Sequence, residues 1–449
     1  MTVPPAALIS PALSEVTAGV CFLLILLVPL ASAGIALINT GLGRSRSAAH
    51  SMMASLMAIA VAVLVYFIFG FSWQGLAGGS SHVFVVGGKA WNWIAAQPFF
   101  MRGVEFNGSY SSLVALLQLF TVSLAALIPL GAGVDRWRLG AICGSTALLA
   151  GLTYPIFTHW IWSDGWLAQL GTNYGLGHGF VDAGGSSSIH VVGGLTALSL
   201  AWILGPRRGK YSAEGMPAAV PGHNAVLVIL GCLLATVGWC GLNSAGAILF
   251  IHAETARCAL VTINTILAAA SAGLTAAAIT QVRFRKPDAS LTANGWIGGL
   301  VASSAACVFV KPAAAVVIGI IAGALVTFAV EWFEFELKVD DPGGAISVHA
   351  IAGIWGILAV GLLARFPIES TFSGNLPGAD SGQWLAQFIG IATLIGFVLP
   401  LTYGLNWLLN RFYPQRVSID GERQGMDLHE LGADAYPDFV THADEFMQR

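Results

Sequence analysis

Two histidines, His190 and His349, sit in matched surroundings. The stretch DAGGSSSIHVVGG, Asp182 to Gly194, returns as DPGGAISVHAIAG, Asp341 to Gly353, aligned without a gap at a fixed offset of 159 residues. Asp, Gly, Gly, Ser, His and Gly are identical between the copies, and Ile189 and Val348 precede the two histidines. A neutral imidazole donates at one nitrogen and accepts at the other, so the chemistry open to such a pair is hydrogen bonding and proton exchange. Each histidine lies eight residues past its Asp, inside a long apolar run. At about 1.5 Å per helical residue that is roughly 12 Å of depth, near the middle of a hydrocarbon core about 30 Å thick. A histidine at that depth is costly and marks a functional site. The bland alternative, a packing hydrogen bond between helices, fits one such residue better than a matched pair.

The elements that must position these histidines follow from composition. Of the 449 residues, 56% are hydrophobic and only 10% charged, against about 25% charge in a soluble domain. The chain therefore reads as an all-α polytopic membrane protein. Its net charge of −3 points to no nucleic-acid partner. The six cysteines fall mostly in apolar runs without CxxC spacing and read as packing residues. No Lys or Arg precedes Arg44, so a signal-peptide n-region is missing and the first apolar run reads as a retained span.

Apolar runs occupy about 16–40, 49–72, 111–134, 139–162, 185–204, 223–243, 257–281, 291–310, 312–334, 345–365 and 384–410, which predicts eleven transmembrane helices. The basic residues divide 15 to 5 between the two sides, Arg44, Arg136, Arg207, Arg208, Arg283, Arg416 and Arg449 lying on the richer one. By the positive-inside bias, the N-terminus is outside and the C-terminus cytoplasmic. His190 and His349 then lie five spans apart. An odd separation reverses orientation, so spans 1–5 and 6–10 (about 16–204 and 223–365) form an inverted 5+5 repeat, with an eleventh helix at 384–410 outside it. Folds of this kind place their site at the repeat interface. The transmembrane domain covers 1–410 and a cytoplasmic tail 411–449.

Other residues fill in the setting. Asp182 and Asp341 read as helix N-caps. Pro342 favours that reading for Asp341 by standing at the first helical position, whereas Asp182, on the outer side, serves either as a cap alone or also in cation recruitment. No Asp or Glu falls at mid-depth, which argues against a carboxylate relay. The outer end of span 4, YPIFTHWIWSDGW, carries Trp160, Trp162 and Trp166, either an interfacial belt or an aromatic face for a small cation. GxSxG, HExxH, Walker and complete GxGxxG motifs are missing, so neither an enzyme nor a cofactor is expected.

With these residues in view, the chain resembles the ammonium transporter family (Amt/Mep/Rh), closer to its Amt branch. The carrying stretches are VDAGGSSSIHVVGG, LGPRRGKY followed by GHN, GWCGLN, DDPGGAISVHAIAGIWG and the tail GMDLHELGADAY. The resemblance implies a homotrimer in the plasma membrane (the cell inner membrane in a Gram-negative bacterium), surrounded by lipid, each subunit having its own narrow pore. His190 and His349 correspond to the twin histidines of that pore, Trp162 to the tryptophan of the outer ammonium site and Asp182 to the acidic residue beneath it. The tail matches the segment that packs under the pores and responds to PII-type regulatory proteins in prokaryotes. Departures cluster in the outer pore. Thr121 and Leu242 stand where two stacked phenylalanines form the gate, with Phe120 beside the first. Gly246 stands in place of a cation-binding serine, Leu431 replaces a tail histidine, and span 4 carries one extra residue before Trp162.

The mechanism expected is recruitment of ammonium (or methylammonium) at an outer vestibule, deprotonation, and passage of ammonia along the two imidazoles, with or without the proton. The rivals are an ammonium sensor that conducts little, suggested by the missing phenylalanines and serine, and an Rh-like conduit for neutral ammonia or carbon dioxide.

Overall fold

The computed structural model describes residues 13–366 and 381–437; Arg449 and the end of the tail lie outside them. Eleven helices carry the apolar runs: α1 (Glu15–Leu42), α2 (Ser45–Gln74), α3 (Tyr110–Gly133), α4 (Leu139–Trp162), α5 (Ser186–Leu204), α6 (Ala225–Phe250), α7 (Thr255–Phe284), α8 (Ala289–Ser304), α9 (Pro312–Phe335), α10 (Ile346–Leu363) and α11 (Gln383–Phe412). Among the described residues ten of these are long and apolar enough to cross a membrane. The exception is α8, whose 16 residues rise about 24 Å, short of a hydrocarbon core of about 30 Å. Ala305 to Phe309 continue it only as turns.

Helix starts follow from local chemistry. Asn224 caps α6 by accepting from Leu227 N–H at 3.1 Å, and Asp288 caps α8 through Leu291 N–H at 2.8 Å. Pro312 opens α9, where its missing N–H costs nothing. Small residues then set how closely the helices pack. Where α1 crosses α6, a Cβ on Gly34 would lie 2.5 Å from Gly231 O, so only glycine permits that approach.

One element stands apart from the helices. Between α2 and α3, β1 (Ser81–Val86) pairs antiparallel with β2 (Lys89–Ala95). Gly87 and Gly88, at φ 60° and 75°, form the two-residue connection, the positive φ values that a primed hairpin turn requires. Its Asn92 turns its side-chain oxygen, an acceptor, towards buried His159 Nε2 at 2.9 Å, while Nδ1 of the same ring meets Gln74 O at 2.6 Å. The hairpin is thereby fastened to the end of α4, where Trp93 packs on Trp160 and Trp166.

The opposite end of the bundle is held by buried charge. Arg207 donates from Nε and Nη2 to the two oxygens of Asp340 (2.9 and 3.0 Å) and from Nη1 to Asp135 at 3.1 Å. Arg136 spends its N–H groups on the carbonyls of Gly205, Val134 and Asp340. Burial pushes the Asp340 carboxyl up, but Arg136 and Arg207 outweigh this and hold it at about 2. Burial likewise drags Arg136 down to about 10, which leaves it charged at neutral pH. The same burial lowers Arg207, yet its direct bonds to Asp340 and Asp135 carry it above its ordinary value. The two guanidiniums differ because Arg207 hydrogen-bonds carboxylates, whereas Arg136 stands 3.8 Å from the nearest oxygen of Asp340.

The tail docks on this end through carboxylates placed at helix starts. Asp427 accepts from Ala49 and His50 N–H (3.1 and 2.7 Å), and Glu430 from Leu139 N–H at 2.7 Å. These are the orphan amides of α2 and α4, capped by residues nearly 300 or more positions away. His50 Nε2 lies 3.7 Å from Glu430, too far for a hydrogen bond.

Candidate functional site

The two repeats fold alike at their starts. The Asp182 carboxylate accepts from Gly185 N–H and Ser186 N–H (2.8 and 2.9 Å) through one oxygen, and from Ser187 N–H at 2.7 Å and the Ser187 hydroxyl through the other. Asp341 accepts from Ala345 and Ile346 N–H at 3.0 and 2.7 Å. Each carboxylate therefore neutralises the positive start of a helix, α5 or α10. Pro342 does not stand at the first helical position as the sequence suggested. Gly344, at φ 66°, closes a turn back to the Asp341 carbonyl (3.0 Å), and the helix begins only after it. For the same reason the eight residues from Asp to His are not continuous helix.

Both helices open with a wide turn, Ser186–Val191 and Ile346–Ile351, in which the backbone bonds span five residues, as from His190 N–H to Gly185 O at 3.1 Å. Such turns are rare and recur at functional sites. Each contains one of the histidines. The rings meet: His190 Nδ1 and His349 Nδ1 lie 3.3 Å apart, with centroids at 5.3 Å and planes 25° from parallel. His190 stacks on its other side against Trp239 of α6, 5.0 Å between centroids and 9° between planes. Both histidines are buried, and among the described residues His190 Nε2 is a buried nitrogen without a hydrogen-bonding partner.

The last glycine of each repeat explains why the rings can meet. A Cβ on Gly194 would lie 2.5 Å from Ala350 N, and one on Gly353 would lie 2.6 Å from the Val191 side chain and 2.8 Å from Ser186 O. The helices cross backbone to backbone beside the histidines, so any larger residue would push the imidazoles apart.

The remaining candidate residues divide into two groups. Trp162, at the end of α4, donates its indole N–H to the Asp182 carbonyl at 2.7 Å. Gly246 of α6 lies against the same loop, where a Cβ would come 2.3 Å from Ala183 O. Asp182, Trp162 and Gly246 thus share one neighbourhood. Thr121 is engaged elsewhere: its buried hydroxyl lies 2.7 Å from Tyr154 Oη and 3.1 Å from Gln118 Oε1. Leu242 is buried, and Phe120 packs half-buried against the core. Leu149–Thr153 forms a further wide turn, within α4.

One neighbour of these residues was not anticipated. Phe250, the last residue of α6, lies flat on Trp162 with centroids 4.1 Å apart and planes 9° from parallel. Its sequence signal is helical spacing: Leu242, Gly246 and Phe250 are four residues apart and share one stripe of α6.

The model of the Ammonium Transporter Family matches residues 19–436. Ammonium transporter Amt2 of Archaeoglobus fulgidus is 35% identical over 92% of this chain and 86% of its own length. The ammonium transporter of Bacillus subtilis is 31% identical over 93% and 97%. A solved structure described as a sensor Amt protein superposes with a TM-score of 0.81 at 28% identity, over 92% of this chain and 98% of the other. A family match over nearly the whole chain, relatives of comparable length and a shared fold agree: the chain belongs to the ammonium transporter family.

Proposed function

We propose that the chain is a membrane transporter that takes up ammonium, removes its proton near the outer end of α4 and α5, and passes ammonia along His190 and His349. The observation that carries this reading is the buried imidazole pair, 3.3 Å between nitrogens, with a further unpartnered nitrogen on His190. Ammonium is an amine acid, and with a pKa near that of lysine (about 10.4) it is protonated at neutral pH. Stripping water from that charge costs several kcal/mol without replacement ligands, whereas ammonia needs only a donor and an acceptor, which imidazoles supply.

The reading includes eleven spans with the N-terminus outside, an inverted repeat about α1–α5 and α6–α10, and a plasma-membrane homotrimer with one pore per subunit, embedded in lipid. In it 1–410 is the transporter domain and 411–449 a cytoplasmic regulatory tail. The 15-to-5 division of basic residues supports the orientation, and the capping of α2 and α4 by Asp427 and Glu430 supports a tail that reports to the bundle, with a PII-type protein as its partner. Asp182 and Trp162 form the recruitment end, with Phe120, Thr121, Leu242 and Gly246 bordering the entry. Methylammonium uptake into proteoliposomes tests the reading: it should be saturable in the native protein and lost when both histidines become alanine. Uptake indifferent to that replacement would remove the histidines from the pathway.

A second reading, an ammonium sensor with little conduction, is favoured by the likeness to the sensor Amt structure and by the covered face of Trp162. Robust ammonium currents from the purified protein would exclude it, while ammonia flux without current would favour an Rh-like neutral conduit.

A further inference from the structure

One face of Trp162 is already covered and its N–H is already bonded: the indole donates to the Asp182 carbonyl, and Phe250 lies over the face at 4.1 Å between centroids. A cation held by an aromatic face sits over the ring, within about 6 Å of its centroid. Two rings at van der Waals contact, about 3.5–4 Å between carbons, leave no room for one between them. The Asp182 carboxylate offers no direct ligand either, since both oxygens are turned onto the backbone and hydroxyl groups of 185–187. Gly246 contributes no side chain, and the 2.3 Å approach of Ala183 O forbids one.

Phe250 is buried but stands at a helix end. It ends α6, the chain leaves the helix at Ile251, and His252 follows in a left-handed conformation at φ 54°. One turn below it on the same stripe is Gly246, which sets no side chain against the ring. A phenylalanine in mid-helix, boxed by neighbours four residues away on both sides, would lack that freedom.

Resting on the transport reading for the identity of the cation, we infer that Phe250 is a competing occupant of the Trp162 face. It holds the outer site shut in the resting protein, and a small monovalent ammonium-type cation binds by displacing its ring. The residue therefore sets both the apparent affinity and the size of cation admitted. Aromatic pairs of this geometry are modest in strength, so removing the competitor shifts affinity by about 2- to 10-fold.

Calorimetric titration of ammonium chloride and methylammonium chloride into the purified full-length protein tests this without requiring conduction. Phe250→Ala should bind ammonium about 2- to 10-fold more tightly than the native protein, and methylammonium should gain more than ammonium. Phe250→Leu, which keeps apolar volume but cannot stack as a ring, should shift in the same direction and guards against misfolding of the alanine variant. Unchanged or weaker binding in both variants, or no measurable heat in any of the proteins, overturns the inference. Currents recorded in parallel separate it from the transport reading: silent proteoliposomes with tightened binding would reject transport and keep the role of Phe250.

Discussion

His190 Nδ1 faces His349 Nδ1 at 3.3 Å, inside a protein whose two ring-bearing helices cross at glycines. At that distance two lone pairs repel, and so do two N–H groups. With both rings neutral, one therefore carries its proton on Nδ1 and the other on Nε2. The consequence is a directed hydrogen-bond line in which donor and acceptor alternate. A solute that both donates and accepts, as ammonia does, fits such a line at either end.

The tautomers can be seen. Nitrogen NMR of histidine-labelled protein at pH 7 should show one buried ring of each tautomer at these two positions, assigned through the single His190→Ala and His349→Ala variants. Two rings of the same tautomer would mean that the nitrogens do not share a proton.

Asp182 is a cap before it is anything else, because its carboxylate holds the start of α5 through 185–187. Asp182→Ala leaves several buried N–H groups unpaired, at about 1–3 kcal/mol for each group, and should lower the melting temperature in detergent sharply. Asp182→Asn keeps an acceptor and should melt between alanine and the native protein. Equal melting of Asn and Ala would show that charge alone matters.

Placing at Gly246 the serine that the family resemblance implied for this position should harm rather than help. A Cβ there meets Ala183 O at 2.3 Å, so Gly246→Ser must displace the loop that carries Asp182. Overpacking of this kind costs about 1–3 kcal/mol. The expected result is a lower melting temperature with no gain in ammonium affinity; a stable variant with tighter binding would show that the loop yields freely.

The buried charges at the opposite end make stability depend on pH. Asp340, held at about 2, lies below the ordinary carboxylate value of about 3.9. Its contribution is complete above pH 4 and is lost as the pH falls from there through 2. It amounts to about 2–3 kcal/mol. Asp340→Asn takes from Arg207 the carboxylate that accepts from its Nε and Nη2, leaving Asp135 as its partner, and so removes that contribution of about 2–3 kcal/mol. Melting curves should therefore separate native and variant protein most at pH 7, and the gap should narrow as the pH falls below 4 and close only near pH 2. A constant gap would contradict the pairing.

Hydropathy made the helices legible because every span had to satisfy its backbone within itself, so position along the chain was enough. The same held for Asp182 and Asp341, whose capping reaches only five residues ahead. The hairpin was signalled, by Gly87-Gly88 between SHVFVV and KAWNWIA, although its extent depends on His159 and Asn92 meeting across the fold. Helical spacing put Phe250 on one stripe of α6 with Leu242 and Gly246, but its stack on Trp162 was not readable beforehand, because it depends on how two separate helices meet. The distance between the two imidazoles was likewise hidden, since it is fixed by Gly194 against Ala350 and Gly353 against Val191.

The central claim is that the histidine pair carries the substrate. Currents from proteoliposomes given equal steps of ammonium and of potassium, native protein beside the His190→Ala/His349→Ala variant, test it most directly. The account predicts ammonium transport in the native protein with potassium excluded, and its loss when both imidazoles are gone. Ammonium currents of undiminished size and selectivity in the double variant would contradict it.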